Sequence, residues 1–238
     1  MKKFMVLAAM IAALFVGRAD ADLVAYWNFN SNDLPGGGFG YLADPDVFPL
    51  SADQGAGSIS VGGGIFSDTT VNGNGDTVYQ WIQSFGGATG NALDGDTSGG
   101  TLTLQGGTDA GNNGGYIQFA FDMTGLMDLV VSYDSRGTST GFSTHTWSWG
   151  TDGVTFTNFD TLSDRTSTTF TTLTLDPLTA LNNVSTAFLR VTVDGATASN
   201  GNNRFDNIQL NASAIPEPTS GLVLIGLAGL IVINRRRR

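Results

Sequence analysis

The chain has no cysteine, a single histidine (His145), a single glutamate (Glu217) and, beyond Lys2 and Lys3, no lysine. Without cysteine there is no disulfide framework, no thiolate metal site and no cysteine nucleophile. Basic residues are scarcer still once the ends are set aside. Lys2, Lys3 and Arg18 lie near the start, and Arg235, Arg236, Arg237 and Arg238 close the chain. The body keeps only Arg136, Arg165, Arg190 and Arg204, set against nineteen aspartates between residues 22 and 215, a formal charge of −15. Such a surface repels phosphate backbones and excludes nucleic acid as a partner. Helical patterning is also missing: no window of about 12 residues carries apolar side chains at i, i+3, i+4 and i+7 without glycine or a β-branched run. No fixed repeat period exists, which excludes solenoids and propellers.

What is present begins with two addresses. Lys2 and Lys3 followed by the apolar run 4–16 read as the n- and h-regions of a secretory signal peptide. Ala19 and Ala21 supply the small residues that a signal peptidase inspects, so cleavage is expected after Ala21, leaving a mature chain from Asp22. The run of 13 residues is short for a membrane span of roughly 20.

At the other end Pro216, Glu217 and Pro218 precede an apolar, glycine-containing segment, 219–234, and then four arginines. The segment reads as a short transmembrane helix, and the arginine block holds its end in the cytoplasm. The two prolines keep the preceding peptide extended and exposed, as an enzyme cleft requires. Pro216-Glu217-Pro218, the short apolar helix and the terminal arginines resemble the PEP-CTERM sorting signal. That resemblance implies an exosortase as partner, processing near Pro216, Glu217 and Pro218, and sorting from an inner-membrane intermediate to the cell surface or extracellular matrix of a Gram-negative-type bacterium. The competing reading is an ordinary tail anchor.

Residues 22–213 are long enough for one all-β domain. Strand patterns recur at 23–29, 77–82, 115–121, 126–133, 141–149, 154–159, 169–175, 184–193 and 204–210, separated by Gly, Asp and Asn clusters. In the stretch ending at Val193, Leu189, Val191 and Val193 share one face, and Phe188, Arg190 and Thr192 the other. Gly150-Thr151-Asp152-Gly153 reads as a hairpin turn with positive φ at its glycine. Residues 31–114 are glycine-rich and predict long loops with short strands. The expected architecture is a single antiparallel jelly-roll β-sandwich between the signal peptide and the C-terminal helix.

The stretch from Trp147 through Asp152-Gly153 to Phe156, and the closing Arg204-Phe205-Asp206-Asn207-Ile208-Gln209-Leu210, resemble jelly-roll carbohydrate-binding domains. The resemblance implies a structural Ca2+ where the first and last strands meet, with Asp206 as the leading ligand and Asn28 or Asn30 beside it. Other oxygen-rich loops lie at Asp94-Gly95-Asp96 and from Asp109 to Asn113. Solvated turn aspartates are the competing account, and no cofactor is required. Trp147 and Trp149, two apart on one strand face, are either a sugar-stacking platform or a core stripe, and large aromatics favour the core.

Catalytic signals are weak. A Ser-His-Asp site would have to use His145, yet no serine sits in Gly-x-Ser-x-Gly. Among nineteen aspartates some pair at glycosidase separation is inevitable and therefore uninformative. The sequence reads as an exported, non-catalytic envelope protein contacting exopolysaccharide. Its alternative is a secreted carbohydrate-active enzyme, a glycoside hydrolase or lyase, using an unidentified aspartate pair.

Overall fold

In a computed structural model the structure describes residues 21–30, 34, 41–93 and 95–216. The signal peptide with Ala19, together with Glu217, Pro218, the segment 219–234 and the arginine tail, lies outside the described residues, as does Asp94.

Among the described residues sixteen strands run in chain order: β1 (Ala21–Trp27), β2 (Tyr41–Leu42), β3 (Leu50–Ser51), β4 (Gln54–Gly55), β5 (Gly57–Gly62), β6 (Thr69–Val71), β7 (Thr77–Tyr79), β8 (Ile82–Ser84), β9 (Leu102–Gln105), β10 (Tyr116–Phe121), β11 (Leu126–Gly137), β12 (Thr144–Gly150), β13 (Thr157–Leu162), β14 (Thr171–Thr174), β15 (Ala187–Asp194) and β16 (Asn202–Ala214). Among the described residues, helix is confined to two 3-10 turns, Pro45–Val47 and Thr108–Ala110. None is long and apolar enough to cross a membrane.

The strands form two curled antiparallel sheets. The first runs β14-β11-β16-β9-β8-β2, with β1 pairing β16 and β4; the second runs β13-β12-β15-β10-β5-β3. A separate hairpin joins β6 to β7. This is the all-β jelly-roll sandwich that the alternating strand patterns predict. Alternation decides which side chains go inside. In β15, Ala187, Leu189, Val191 and Val193 are buried while Phe188, Arg190 and Thr192 face outward. In β10, Ile117, Phe119 and Phe121 are buried and Tyr116, Gln118 and Ala120 lie outside.

The core is a continuous aromatic run between the sheets. Trp27 meets Phe119 edge-on at 5.5 Å, Phe119 stacks on Trp147 at 5.8 Å, and Trp147 meets Tyr133 at 5.4 Å. Tyr133 then stacks on Phe205 at 5.7 Å, and His145 on Phe205 at 4.8 Å. Each such ring pair adds about 0.5–1.5 kcal/mol beyond its burial.

Several expected strands are displaced by local chemistry. The 77–82 pattern breaks at Gln80 and Trp81 into β7 and β8, which belong to different sheets. After β12 the hairpin turns later than the Asp-Gly pair suggests. Asp152 Oδ1 accepts the N–H groups of Val154 and Thr155 at 2.9 and 2.7 Å, which holds the chain off the sheet until Thr157. Gly153 does take the expected positive φ, 72°. The 31–114 region supplies the short strands β2 to β9, and β9 lies well inside the first sheet between β16 and β8.

Candidate functional site

Between β8 and β9 the chain leaves the first sheet and lies across its outer face. What pins it there is a buried polar network centred on β16. The β11–β16 register steps between Ser132 and Asp134, and in that bulge Asn207 has φ 47°, a left-handed conformation that asparagine tolerates. Asp206 and Asn207, both 0% exposed, thereby join one network. Asp206 accepts the backbone N–H groups of Ala88 at 2.7 Å and Asn207 at 2.8 Å. Asp134 accepts the Asn91 N–H at 2.8 Å and the Thr172 hydroxyl at 2.5 Å. Asn207 Nδ2 donates to Ala88 O at 2.9 Å, and Tyr26 from β1 donates its hydroxyl to Asn207 Oδ1 at 2.9 Å. Burial pushes the Asp206 carboxyl up to about 8, against the pull of its two N–H donors. Burial likewise pushes the Tyr26 hydroxyl above its usual range.

This corner is where β1 and β16 pair, with Trp27 opposite Ile208. The three residues expected to hold Ca2+ sit in it but have separate partners. Both Asp206 oxygens accept N–H groups, and Asn28 Oδ1 accepts the Asn30 N–H at 2.9 Å. Asn28 Nδ2 donates to Asp96 at 3.2 Å, and Asn30 Nδ2 to Thr97 O at 2.7 Å. Only Asn30 Oδ1 is buried without a donor, and it fills the space where Gly99 lacks a Cβ. Ca2+ takes about six to eight oxygen ligands. Among the described residues no three His, Cys, Asp or Glu side chains converge on one point.

The histidine is equally committed. His145 is 0% exposed and is flanked by Tyr133 on one ring nitrogen (3.0 Å) and Asn203 Nδ2 on the other (3.1 Å). Both ring nitrogens are thus in contact with protein groups rather than solvent. Burial lowers its pKa to about 3, so it stays neutral in the physiological range and has no path to a substrate.

Trp147 is 0% exposed, stacked on Phe119, with Nε1 donating to Tyr133 at 3.4 Å. This corrects its expected part in a sugar platform: a fully buried indole has no open face, and the core-stripe alternative holds. Trp149 is half-buried at the rim and lines a shallow concavity of about 270 Å³ with Gly150, Thr151, Asp152, Thr155 and Thr157.

Two features that the sequence reading did not single out stand on the outer faces. On the second sheet, the Arg190 guanidinium lies between the rings of Tyr116 and Phe156, its Cζ 3.8 Å from each centroid. Gln118 Oε1 accepts from its Nη2 at 2.6 Å. On the first sheet, Arg136 and Arg204 are direct cross-strand partners. Arg136 lies over Phe170 at 5.7 Å and Arg204 over Phe85 at 4.7 Å. Three of the body's four arginines therefore sit on aromatic rings. Their scarcity among nineteen aspartates was the available signal.

β16 ends at Ala214, Ile215 donates its N–H to Gly125 O at 2.8 Å, and Pro216 is exposed. The chain thus leaves the sandwich at the surface just before the Pro-Glu-Pro segment. Comparison with curated proteins gives no match. Among solved structures, the CBM22-1 xylan-binding domain from Paenibacillus barcinonensis Xyn10C is 8% identical, over 84% of this chain and 100% of that one, with a TM-score of 0.44. TmCBM61, solved with β-1,4-galactotriose, is 11% identical over 62% and 90%, with a TM-score of 0.36. The CBM36-1 domain of a multidomain xylanase from the hindgut metagenome of Trinervitermes trinervoides is 9% identical over 66% and 99%, also at 0.36. Likeness at that level carries no argument about ligands, and the fold rests on this chain's own strand pairing. The C-terminus is different: residues 214–238 match the PEP-CTERM protein-sorting motif, which marks the chain for exosortase-directed export and sorting to the cell envelope.

Proposed function

We propose that the protein is a non-catalytic, exosortase-sorted component of the cell surface or extracellular matrix whose β-sandwich contacts exopolysaccharide. The observation that carries the reading is the sorting motif at 214–238, which begins where β16 ends. Processing beyond Ala214 leaves every strand of the sandwich intact. In this reading a signal peptidase cleaves after Ala21, the segment 219–234 holds the chain in the inner membrane, and an exosortase acts near Pro216, Glu217 and Pro218.

A non-catalytic role is supported by where the reactive groups sit. The one histidine is sealed in the core, and Asp134 and Asp206, 1% and 0% exposed, are spent on holding a loop. An imidazole sealed from solvent cannot do general acid–base work on a substrate. Polysaccharide contact is supported by the open face of the second sheet, where the rings of Tyr116 and Phe156 flank Arg190 beside the Gln118 amide. Aromatic surface bordered by amide and guanidinium donors suits hydroxyl-rich rings.

The test is expression in an exosortase-bearing host, comparing the full chain with a variant lacking residues 216–218, followed by co-sedimentation of the secreted form with the host's exopolysaccharide. The reading expects surface recovery only with residues 216–218 present, and co-sedimentation weakened by Tyr116→Ala or Phe156→Ala. Equal surface recovery of both forms, or no co-sedimentation, contradicts it.

A further inference from the structure

The outer face of the first sheet holds an arrangement that the fold does not need. Arg136 and Arg204 face each other across β11 and β16, and like charges directly opposite in a sheet are destabilising. Arg204 is lowered from its ordinary pKa by burial and by Arg136 beside it. Nineteen aspartates are available in the body, yet among the described residues no carboxylate bonds to either arginine. Arg204 spends one Nη1 hydrogen bond on Gly86 O at 3.0 Å, and Arg136 bonds to no protein acceptor among the described residues. Each Nε is buried and unpartnered, while both side chains remain partly exposed. Phe85 and Phe170 bracket the pair, one ring against each guanidinium. A cross-strand row therefore reads Phe170, Arg136, Arg204, Thr103 and Gln83.

We infer that the Arg136 and Arg204 pair, bracketed by Phe85 and Phe170, is a binding subsite for the carboxylate of an acidic sugar residue within a polysaccharide. Guanidinium groups on facing residues can each donate to a carboxylate, and a bound carboxylate would offset the repulsion between them. The flanking rings offer apolar surface to the C–H face of the sugar. A single carboxylate also suits the rest of the surface. A body of formal charge −15 repels ligands of dense charge, such as nucleic acid or polyphosphate, but tolerates one uronate at a local cationic pair. The inference rests on the proposed polysaccharide contact, and it uses a different sheet from the stack at Arg190.

The test titrates the full mature chain with a trisaccharide carrying one galacturonate residue and two neutral sugars, and with its methyl ester. The acid should bind, and the ester should bind at least about tenfold more weakly, since it cannot accept the charge-assisted bonds. Arg136→Gln is the decisive variant because Arg136 has no hydrogen-bond partner to lose among the described residues. It should weaken the acid by about tenfold with no fall in Tm, since removing one of two facing like charges does not destabilise the sheet, whereas Arg204→Gln also frees Gly86. Equal binding of acid and ester, or full binding by Arg136→Gln, overturns the inference. So does a concentration-dependent dimer that Arg136→Gln abolishes without any uronate effect, since aspartates of a second copy would then be the occupant. If wild type and Arg136→Gln both co-sediment equally with exopolysaccharide, only this subsite fails. If wild type does not co-sediment, the broader reading fails.

Discussion

Replacing Asp206 with asparagine should change how stability depends on pH. The side chain is 0% exposed, and its pKa stands at about 8 against an ordinary 3.8. A carboxyl whose folded pKa lies above its unfolded value binds its proton more tightly when folded. Its contribution is full below pH 3.8 and is lost as the pH rises to about 8. Each pH unit in that window costs about 1.4 kcal/mol, less as the folded carboxyl begins to ionise, so pH 6 to 8 costs about 2 kcal/mol. The amide of the variant has no such titration. It does lose an acceptor, because Ala88 and Asn207 both present N–H groups and an amide has one oxygen; that costs about 1–3 kcal/mol at pH 5. Urea denaturation of both proteins from pH 5 to 8.5 gives the difference directly, with the titrations of the other groups cancelling. The deficit of Asp206→Asn should shrink by about 2 kcal/mol between pH 6 and 8. A difference that stays flat over this range would refute the buried neutral carboxyl.

Three further outcomes follow from the site geometry. Trp147→Ala should cost about 3–5 kcal/mol in denaturation, whereas Trp149→Ala at the rim should cost about 1–2 kcal/mol. His145, with a pKa of about 3 against 6.5, should show no shift of its ring protons by NMR between pH 5 and 8. Because that pKa is depressed, its contribution to stability is full above pH 6.5 and is lost as the pH falls toward 3. Since the oxygens of Asp206 and Asn28 already accept protein N–H groups, Tm in excess Ca2+ should equal Tm in excess chelator. A rise in Ca2+ would place a cation in the β1–β16 corner.

The sandwich itself was legible because burial follows period-two alternation. Leu189, Val191 and Val193 could be separated from Phe188, Arg190 and Thr192 by position alone. Trp147 was legible only as a choice between platform and core, because periodicity assigns a face without saying whether that face is covered. The loop over the first sheet was illegible for another reason. Its anchors join Ala88 to Asp206 and Asn91 to Asp134, pairings separated by 118 and 43 residues. Nothing local in a glycine-rich stretch encodes them. The arginine pair depends on register, since Arg136 meets Arg204 only through a bulge that shifts β11 against β16. The sorting segment was the most legible part of the chain, because an enzyme must read it as linear sequence.

The central claim is that both ends of the chain are addresses removed in sequence. The intact mass of the protein recovered from each cell fraction of its native host tests it most directly. The account predicts a surface or extracellular species that begins at Asp22 and ends near Pro216, Glu217 and Pro218. An inner-membrane species still carrying Arg235, Arg236, Arg237 and Arg238, with no shorter form outside, would contradict it.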